Sequence, residues 1–396
     1  MRKHRKRPPM DRRQFLQFLG TSGLAVLAGC RPEETEDRMS SDPPTPSTTK
    51  QPATSTTIAS PTRTLRPQTP TTKPRATAAL GFADAYEDDA IHSQIRRMLH
   101  QLDGAEDLLS PGARVCLKPN LTGGPWWDTP ERPPATEMFA THPAVVGALA
   151  RWVKDMGASK IYIMDGIADE AAWDSWGYSE MAKPYGATLV NLCRAEPYSD
   201  YARFPVGEKG RVYHQFYLNG LLQEVDVFVS IAKLKVHSIM GVTLALKNLI
   251  GLTPIDSYKK NAEDTARTSL HGNDGAYDTR LPQVIVELNL ARPVDLAVID
   301  GVLTCEGGAG PWDAGMSQVR PGILAAGLDP VAVDAVGSAL MGFNPQAESQ
   351  SDPFRYTDNY LSLALAAGLG TNRLEEIAVT GGTLEDMQYP FRLPWV

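Results

Sequence analysis

Three lysines and a histidine lie close together in an otherwise apolar part of the sequence, at Lys233, Lys235, His237 and Lys247. They follow the apolar run 225–231, whose composition predicts a buried β-strand. A buried ammonium group is costly unless a counter-charge or hydrogen-bond acceptors satisfy it. The segment therefore predicts a concentration of positive charge at the end of a strand.

Two interpretations of these lysines are open at the level of sequence. In the first, they form structural ion pairs with Asp165, Asp300 or Asp334. In the second, they form a pocket that binds a carboxylate or phosphate, with each lysine acting as a point charge. If the pocket belongs to an enzyme, we expect Lys235 and Lys247 to take part in catalysis by binding the ligand or transferring protons.

His237 has three interpretations of its own. It is a core histidine satisfied by the backbone, a metal ligand, or a general acid or base. Its position between the lysines makes it our third candidate catalytic residue.

Further polar residues follow predicted strands, where a parallel sheet collects its ligands. Glu306 begins a glycine-rich loop whose N–H groups either bind an anion or form a tight turn. The full set of predicted ligand-binding residues is Lys118, Asn120, Lys233, Thr243, Asn248 and Glu306.

Asp165 and Asp300 each precede a glycine at the end of a predicted strand. Together with His237 they are candidate metal ligands, because hard cations prefer carboxylates. Asp-Gly after a strand is also a common turn. The four cysteines form no CxxC pair, so we expect no cysteine-ligated iron–sulfur cluster. The sequence leaves the identity of any other metal or organic cofactor unknown.

The elements that must position these residues alternate between strand and helix, which predicts an α/β fold with a mostly parallel sheet flanked by helices. The residues from 80 to 396 are enough for one large domain or two joined lobes. Residues 204–216 predict a hairpin or an inserted lobe. The predicted strands are 114–117, 159–164, 188–192, 225–231, 295–299, 322–326 and 377–380. The predicted helices are 85–102, one beginning at 143, 173–185, 240–249, 280–290, 330–341 and 360–367.

The N-terminal region differs in composition from the rest. Residues 1–29 combine a basic start with a short apolar run, which is typical of a signal peptide. The pair Arg12-Arg13 resembles a twin-arginine export signal, and the residues before Cys30 resemble a lipoprotein processing box. We expect export by the twin-arginine machinery, cleavage before Cys30, and lipidation of its thiol. The protein would then be anchored on the outer face of the bacterial cytoplasmic membrane.

Residues 30–79 are rich in Pro, Thr and Ser, and they predict a disordered linker between the lipid anchor and the folded domain. The whole chain has a formal net charge of −7. Its first 75 residues contain fourteen Lys or Arg and six Asp or Glu, so the folded part carries a charge near −15. Such an acidic domain is not expected to bind nucleic acid.

Eight short motifs occur in an order that resembles the family known as domain of unknown function 362. The resemblance covers roughly residues 110–345 and implies the same fold, although that family has no settled activity. The motifs are Lys118-Pro-Asn120, Thr141-His-Pro143, Asp165-Gly166, Lys233-Leu-Lys-Val-His237, Leu246-Lys-Asn-Leu-Ile-Gly251, Asp300-Gly301, Glu306-Gly-x-x-Gly-Pro311 and Asp329-Pro-x-x-x-Asp334.

A more distant resemblance connects His237, Gly241, Thr243 and Lys247 with a stretch of the nickel-pincer lactate racemases. In those enzymes the stretch helps to hold an organometallic pyridine cofactor. In this chain a threonine stands where that family has serine, and its double glycine is absent. The resemblance therefore implies a related fold and pocket rather than the same cofactor.

Two hypotheses about function follow. In one, the protein is an exported enzyme that acts on a small carboxylate or phosphate compound, using a bound cofactor or metal. In the other, it is a lipoprotein that binds an anionic cofactor or metal complex without chemistry. Both predict a small anionic ligand.

Overall fold

A computed structural model of the protein describes residues 75–272 and 277–395. These residues belong to one unit of mixed α/β structure. The predicted fold class is therefore confirmed: a large, mostly parallel sheet is flanked by helices. Among the described residues this main sheet has ten strands: eight lie side by side, and two short strands pair with the ends of two of them.

The strands form this main sheet and a separate two-stranded hairpin. They are β1 (Ala76–Phe82), β2 (Arg114–Lys118), β3 (Lys160–Asp165), β4 (Thr188–Asn191), β5 (Ala202–Pro205), β6 (Gln215–Leu218), β7 (Val227–His237), β8 (Gly241–Thr243), β9 (Leu296–Glu306), β10 (Ser317–Val319), β11 (Ile323–Gly327) and β12 (Ile377–Thr380). The hairpin consists of β5 and β6. The order across the main sheet is β12-β1-β11-β9-β7-β2-β3-β4, and β8 and β10 pair with β7 and β9.

The helices pack on both faces of the sheet. They are α1 (Asp88–His100), α2 (Pro143–Asp155), α3 (Ala171–Ser175), α4 (Tyr178–Ala182), α5 (Leu221–Glu224), α6 (Ala245–Asn248), α7 (Arg280–Ala291), α8 (Pro330–Leu340), α9 (Tyr360–Ala367) and α10 (Leu384–Met387). The beginning of α2 shows how the sequence sets a boundary. Pro143 occupies the first turn, and the His142 side chain accepts a hydrogen bond from the backbone N–H of Ala144.

The strand β7 lies at the centre of the sheet, between β9 and β2, and it is parallel to both. Successive side chains of β7 point to opposite faces of the sheet, and helices cover the apolar side chains on each face. Val229 and Ile231 pack in the core beneath α1 and α2, whereas Phe228 packs in the core beneath α7 and α8. Lys233, Lys235 and His237 continue the alternation of the first set and therefore share one face of the strand.

The structure differs from the predicted elements in three places that matter for the site. The strands β7 and β9 run on through Lys235 and Thr304, because antiparallel partners β8 and β10 extend the sheet there. The helix predicted over 240–249 is instead the short strand β8 followed by a single turn of helix. The helix predicted over 173–185 is divided at Gly177, which has a φ of 76°.

The first strand, β1, begins at Ala76, within the stretch that composition assigns to the linker. It is held in the sheet by pairing with β11 and β12, and the local sequence pattern does not predict this strand. The predicted signal peptide, the lipidated Cys30 and the linker up to residue 74 lie outside the described residues. Among the residues that are described, no helix is long and apolar enough to cross a membrane.

Candidate functional site

Lys118, at the end of β2, is fully buried and paired with Asp165 at the end of β3. Its ammonium nitrogen lies 2.7 Å from Asp165 Oδ1 and also donates to Asn248 Oδ1 at 3.1 Å and to the carbonyl of Pro119 at 2.9 Å. The second Asp165 oxygen accepts from the backbone N–H of Leu121 at 2.7 Å. Burial lowers the pKa of Lys118, and the Asp165 carboxylate opposes that shift. With three acceptors and a counter-charge, this lysine is fully satisfied.

Lys233 forms a second buried ion pair, on the central strand. Its ammonium nitrogen lies 3.0 Å from Asp300 Oδ2, 2.9 Å from the Tyr86 hydroxyl and 2.8 Å from the carbonyl of Thr136. Tyr86 in turn donates to Asp300 Oδ1 at 2.6 Å, and the backbone N–H of His142 donates to Asp300 Oδ2 at 2.9 Å. The ion-pair interpretation is therefore confirmed for Lys233.

Lys235 is the exception among these buried lysines. Its side chain is 2% exposed, and its ammonium nitrogen donates to a single acceptor among the described residues, the carbonyl of Phe139 at 2.6 Å. No carboxylate in that part of the chain lies within ion-pairing distance of it. Its pKa is lowered to about 7, chiefly by burial; Cys305 opposes this shift, and the positive charges of Lys247 and Lys233 add to it.

Lys247 lies on the single turn of helix α6, half-buried, and it makes no hydrogen bond or ion pair with any described residue. Burial lowers its pKa to about 8. The position of this turn is set from α8, because the two oxygens of Asp334 accept from the backbone N–H groups of Ala245 at 2.7 Å and Leu246 at 2.9 Å. Asp334 thus satisfies the beginning of α6 instead of pairing with a lysine.

His237 ends β7, and its ring is oriented by the turn that follows. Its Nδ1 atom accepts from the backbone N–H groups of Ile239 at 3.1 Å and Met240 at 3.2 Å. The neutral ring therefore carries its proton on Nε2, which makes that nitrogen a hydrogen-bond donor. Burial, followed by the charges of Lys247, His271 and Lys235, lowers the pKa of His237 well below its ordinary value.

Thr243 lies directly opposite Lys235 in the antiparallel pairing of β7 with β8. Side chains at such a cross-strand pair share one face and lie about 5 Å apart at Cβ. The Thr243 side chain is 2% exposed, yet its hydroxyl has no hydrogen-bond partner in the described structure. The amide oxygen of Asn120 is also buried without a partner there, although its nitrogen donates to Asn248 at 3.3 Å.

We call Lys235, His237, Thr243 and Lys247 the lysine cluster. Their shared property is unused hydrogen-bonding capacity: among the described residues Lys235 has one acceptor, and the Lys247 ammonium group, the Thr243 hydroxyl and the Nε2–H of His237 have no partner. Buried polar groups are otherwise almost always paired. The arrangement is chemically suited to an anion with several acceptor oxygens.

A cavity of about 280 Å³ is lined by residues that adjoin the lysine cluster in sequence or act on its charge, although no member of the cluster lines it. Its walls include Ser238, which follows His237, and Asp313, whose charge acts on Lys235. Burial raises the pKa of Asp313, while the hydrogen bond from the N–H of Ala309 at 2.7 Å opposes the shift. A larger cavity, of about 390 Å³, lies between α1, α2 and α4 and includes His142, but none of the lysine cluster.

The structure divides the predicted site residues into separate groups. Lys118, Asn120 and Asn248 lie together around Asp165, while Lys233 lies with Asp300. The Glu306 carboxylate accepts from the backbone N–H of Arg392 at 3.0 Å and forms an ion pair with that side chain at 3.5 Å. It therefore holds the C-terminal segment.

The predicted metal ligands Asp165 and Asp300 lie on β3 and β9, and two strands, β2 and β7, separate them. At about 4.8 Å per strand spacing, the two carboxylates are about 14 Å apart across the sheet. This separation is too large for both to coordinate one ion, and each instead pairs with a different lysine. Among the described residues, no three His, Cys, Asp or Glu side chains form a set that could hold a metal.

Sequence reasoning missed three residues that shape this region. Tyr86 bridges Lys233 and Asp300, and the carbonyl of Phe139 is the acceptor for Lys235. The negative charge of Asp313 raises the pKa of Lys235. The roles of Tyr86 and Phe139 depend on a hydroxyl and a carbonyl brought from distant loops, and no local pattern indicates them. The glycine-rich loop before Asp313 was a usable signal, since such loops often carry site residues.

The comparisons with known proteins place this geometry in a family. Residues 115–339, which contain the lysine cluster and both buried ion pairs, match the family described as domain of unknown function (DUF362). The chain belongs to this family.

Two individual proteins resemble the DUF362 chain. The thylakoid-associated protein sll1697 of Synechocystis sp. is 27% identical over 266 residues, which cover 66% of this chain and 74% of that protein. A crystal structure of a protein from Thermotoga maritima is 11% identical, with a TM-score of 0.29, and the match covers 57% of this chain. It spans 52% of the Thermotoga chain.

Proposed function

We propose that this DUF362 protein binds a small carboxylate or phosphate compound at the lysine cluster. The observation that carries the proposal is the environment of Lys235. Its buried ammonium group has one carbonyl acceptor among the described residues, whereas Lys118 and Lys233 each have three acceptors that include a carboxylate. A buried cation of this kind calls for a counter-charge, which a bound anion would supply.

The remaining members of the cluster fit the same ligand. Thr243 offers a hydroxyl without a partner in the described structure, His237 offers its Nε2 proton, and Lys247 offers a second ammonium group. We infer that the ligand enters through the cavity beside Ser238 and Asp313. The sequence predicts that Lys118, Asn120 and Asn248 bind the ligand. In this proposal they instead hold α6, the helical turn that carries Lys247, through hydrogen bonds to Asn248.

Thermal unfolding and calorimetry with phosphate, acetate and pyruvate would test the proposal. A bound anion at 100 times its dissociation constant should stabilise the protein by about 2.7 kcal/mol. Lys235→Met should abolish this stabilisation, while Lys160→Met should retain it, because Lys160 is exposed at the opposite end of β3. If no anion binds, or if all binding survives in the Lys235 variant, the proposal fails.

A second candidate function is catalysis at the same cluster. The pKa of Lys235, about 7, is suited to proton transfer near neutral pH. His237→Ala should then abolish turnover while the ammonium groups of Lys235 and Lys247 still hold the ligand with reduced affinity, whereas a purely binding protein would show no turnover to lose. Purification from the native membrane, followed by metal analysis and an absorption spectrum, would show whether a metal or coloured cofactor accompanies the protein.

We further propose that the protein is exported through the twin-arginine machinery and anchored in the membrane by a lipid on Cys30. The support is the order of basic leader, twin arginines, apolar run and Leu27-Ala-Gly-Cys30 in the sequence. The relative named as thylakoid-associated fits a protein held at a membrane. Mass spectrometry of the membrane fraction should find residues 1–29 removed and Cys30 lipidated; an unmodified Cys30 would refute the anchor.

A further inference from the structure

We propose that Lys235 is a nucleophile that forms an imine with the carbonyl group of a small 2-oxo acid, an inference that rests on the anion-binding function proposed above. It adds a covalent step and a substrate class to that function. The inference begins from a comparison of three buried lysines of one sheet, Lys118, Lys233 and Lys235.

The first two lysines are held as cations. Each donates three hydrogen bonds, one of them to a carboxylate within 3.0 Å, so the nitrogen has no lone pair to offer. Lys235 donates one hydrogen bond within the described structure, to the carbonyl of Phe139. A neutral amine satisfies that arrangement equally well, since it donates one N–H to the carbonyl and keeps its lone pair.

In the ligand-free protein above about pH 7, the surroundings of Lys235 favour the neutral amine. Burial penalises its charged form, and the nearby cations Lys233 and Lys247 add to that penalty. A lysine that is desolvated beside another cationic group is an activated nucleophile. Lys247 is itself free of any carboxylate among the described residues, and it remains available to bind the carboxylate of the incoming acid.

The proposed step is balanced without any redox partner. The lone pair of Lys235 Nζ forms a bond to the carbonyl carbon, and the carbonyl π electrons move to oxygen, which gives a carbinolamine after proton transfer. The carbon–oxygen bond then breaks, and the oxygen leaves as water with the two protons that the amine nitrogen loses. Asp313 lies near enough to Lys235 for their charges to act on each other, so its carboxylate can take a proton from the amine nitrogen and pass it to the departing oxygen.

Reductive trapping would test the step on the purified full-length chain. Pyruvate or glyoxylate is added with sodium cyanoborohydride, which reduces an imine to a stable secondary amine, and the modified lysine is located by peptide mass spectrometry. Lys235 should be alkylated at least about tenfold faster than the exposed Lys160, because an amine of lower pKa has a larger unprotonated fraction. Lys118 and Lys233 should remain unmodified in the same sample.

Two variants and a carbonyl-free ligand separate the possible outcomes. Lys235→Arg keeps the positive charge but has no primary amine, so its adduct should disappear; Lys247→Met should slow trapping at Lys235. Propanoate, which lacks the carbonyl, reports anion binding by calorimetry. If propanoate binds but Lys235 is trapped no faster than Lys160, the imine is refuted and the binding function stands. If neither binding nor preferential trapping occurs, both proposals fail.

Discussion

Lys235 and Thr243 face each other across the pairing of β7 with β8, and neither has, among the described residues, the hydrogen-bond partners that its burial demands. Two positions earlier on the same face of β7, Lys233 has a carboxylate, a phenol and a carbonyl around it. The strand therefore places Lys233, whose hydrogen bonds are all made within the protein, beside Lys235, whose ammonium group can donate further hydrogen bonds. This contrast separates the residues that hold the fold together from those that we propose to bind a ligand.

Removal of either partner of the Lys233–Asp300 pair should destabilise the protein strongly. Lys233→Met or Asp300→Asn should lower the free energy of unfolding by about 3–5 kcal/mol, because each leaves the other group buried without its counter-charge. Denaturant unfolding of both single variants and of the double variant measures the effect. The double variant should lose less than the sum of the two single losses; a loss equal to or larger than that sum would contradict the pairing.

Lys235→Met should have the opposite effect in the ligand-free protein. The folded-state pKa of Lys235, about 7, lies below its ordinary value of 10.5, so the unfolded chain binds more protons between these values. The penalty of the buried charge is present in full below about pH 7 and fades as the pH rises toward 10.5. The variant should therefore gain about 1–3 kcal/mol at low pH and less at high pH.

Urea unfolding of the wild type and of Lys235→Met across this pH range provides the measurement. Lys160→Met serves as the matched control, because Lys160 is exposed and its removal should leave the pH dependence unchanged. A Lys235 variant that is destabilised equally at every pH would show that this lysine is satisfied in a way that the structure does not indicate.

Thr243→Val should separate stability from binding. The hydroxyl of Thr243 has no partner in the described part of the chain, so its replacement by a methyl group should leave the free energy of unfolding unchanged or raise it by about 1 kcal/mol. The same change should weaken anion binding several-fold, by about 1 kcal/mol, because the ligand loses one donor. Thr304→Val is the control: that hydroxyl bonds to the carbonyls of Leu234 and Met138, so its loss should destabilise the protein without the selective effect on binding.

Gly251→Ala should disturb the Lys118–Asp165 pair. A Cβ at this position would lie 2.7 Å from Lys118 Nζ and closer still to Asp165 Oδ1, so the ion pair would have to move. We expect a loss of about 1–3 kcal/mol, as for overpacking of a core. Gly147→Ala is a useful contrast, since its Cβ would meet the flexible side chain of Met181 at 3.1 Å within helix α2. Calorimetric melting temperatures of the two variants should differ accordingly.

The elements of this fold are largely predictable where the local pattern is strong. Periodicity and capping residues predict the apolar face of α2 with its Pro143 start, the cap at Asp329 and the strand Ile377–Thr380. They do not predict β1 and β10, because the pairing partners of β1 are distant in sequence and β10 is a short extension of the sheet. The same limit applies to α6, whose single turn is fixed by Asp334 from another helix.

The sequence by itself predicted that lysines, a histidine and two Asp-Gly pairs follow strands of an α/β sheet, because hydrophobic periodicity and the succession of elements along the chain are local properties. Only the tertiary structure decided which lysine meets which carboxylate. Strand order places Asp165 beside Lys118 and Asp300 beside Lys233, and it brings no carboxylate of the described residues within ion-pairing distance of Lys235. Charge pairing depends on distances across strands that are far apart in sequence, and those distances exist only once the sheet has formed.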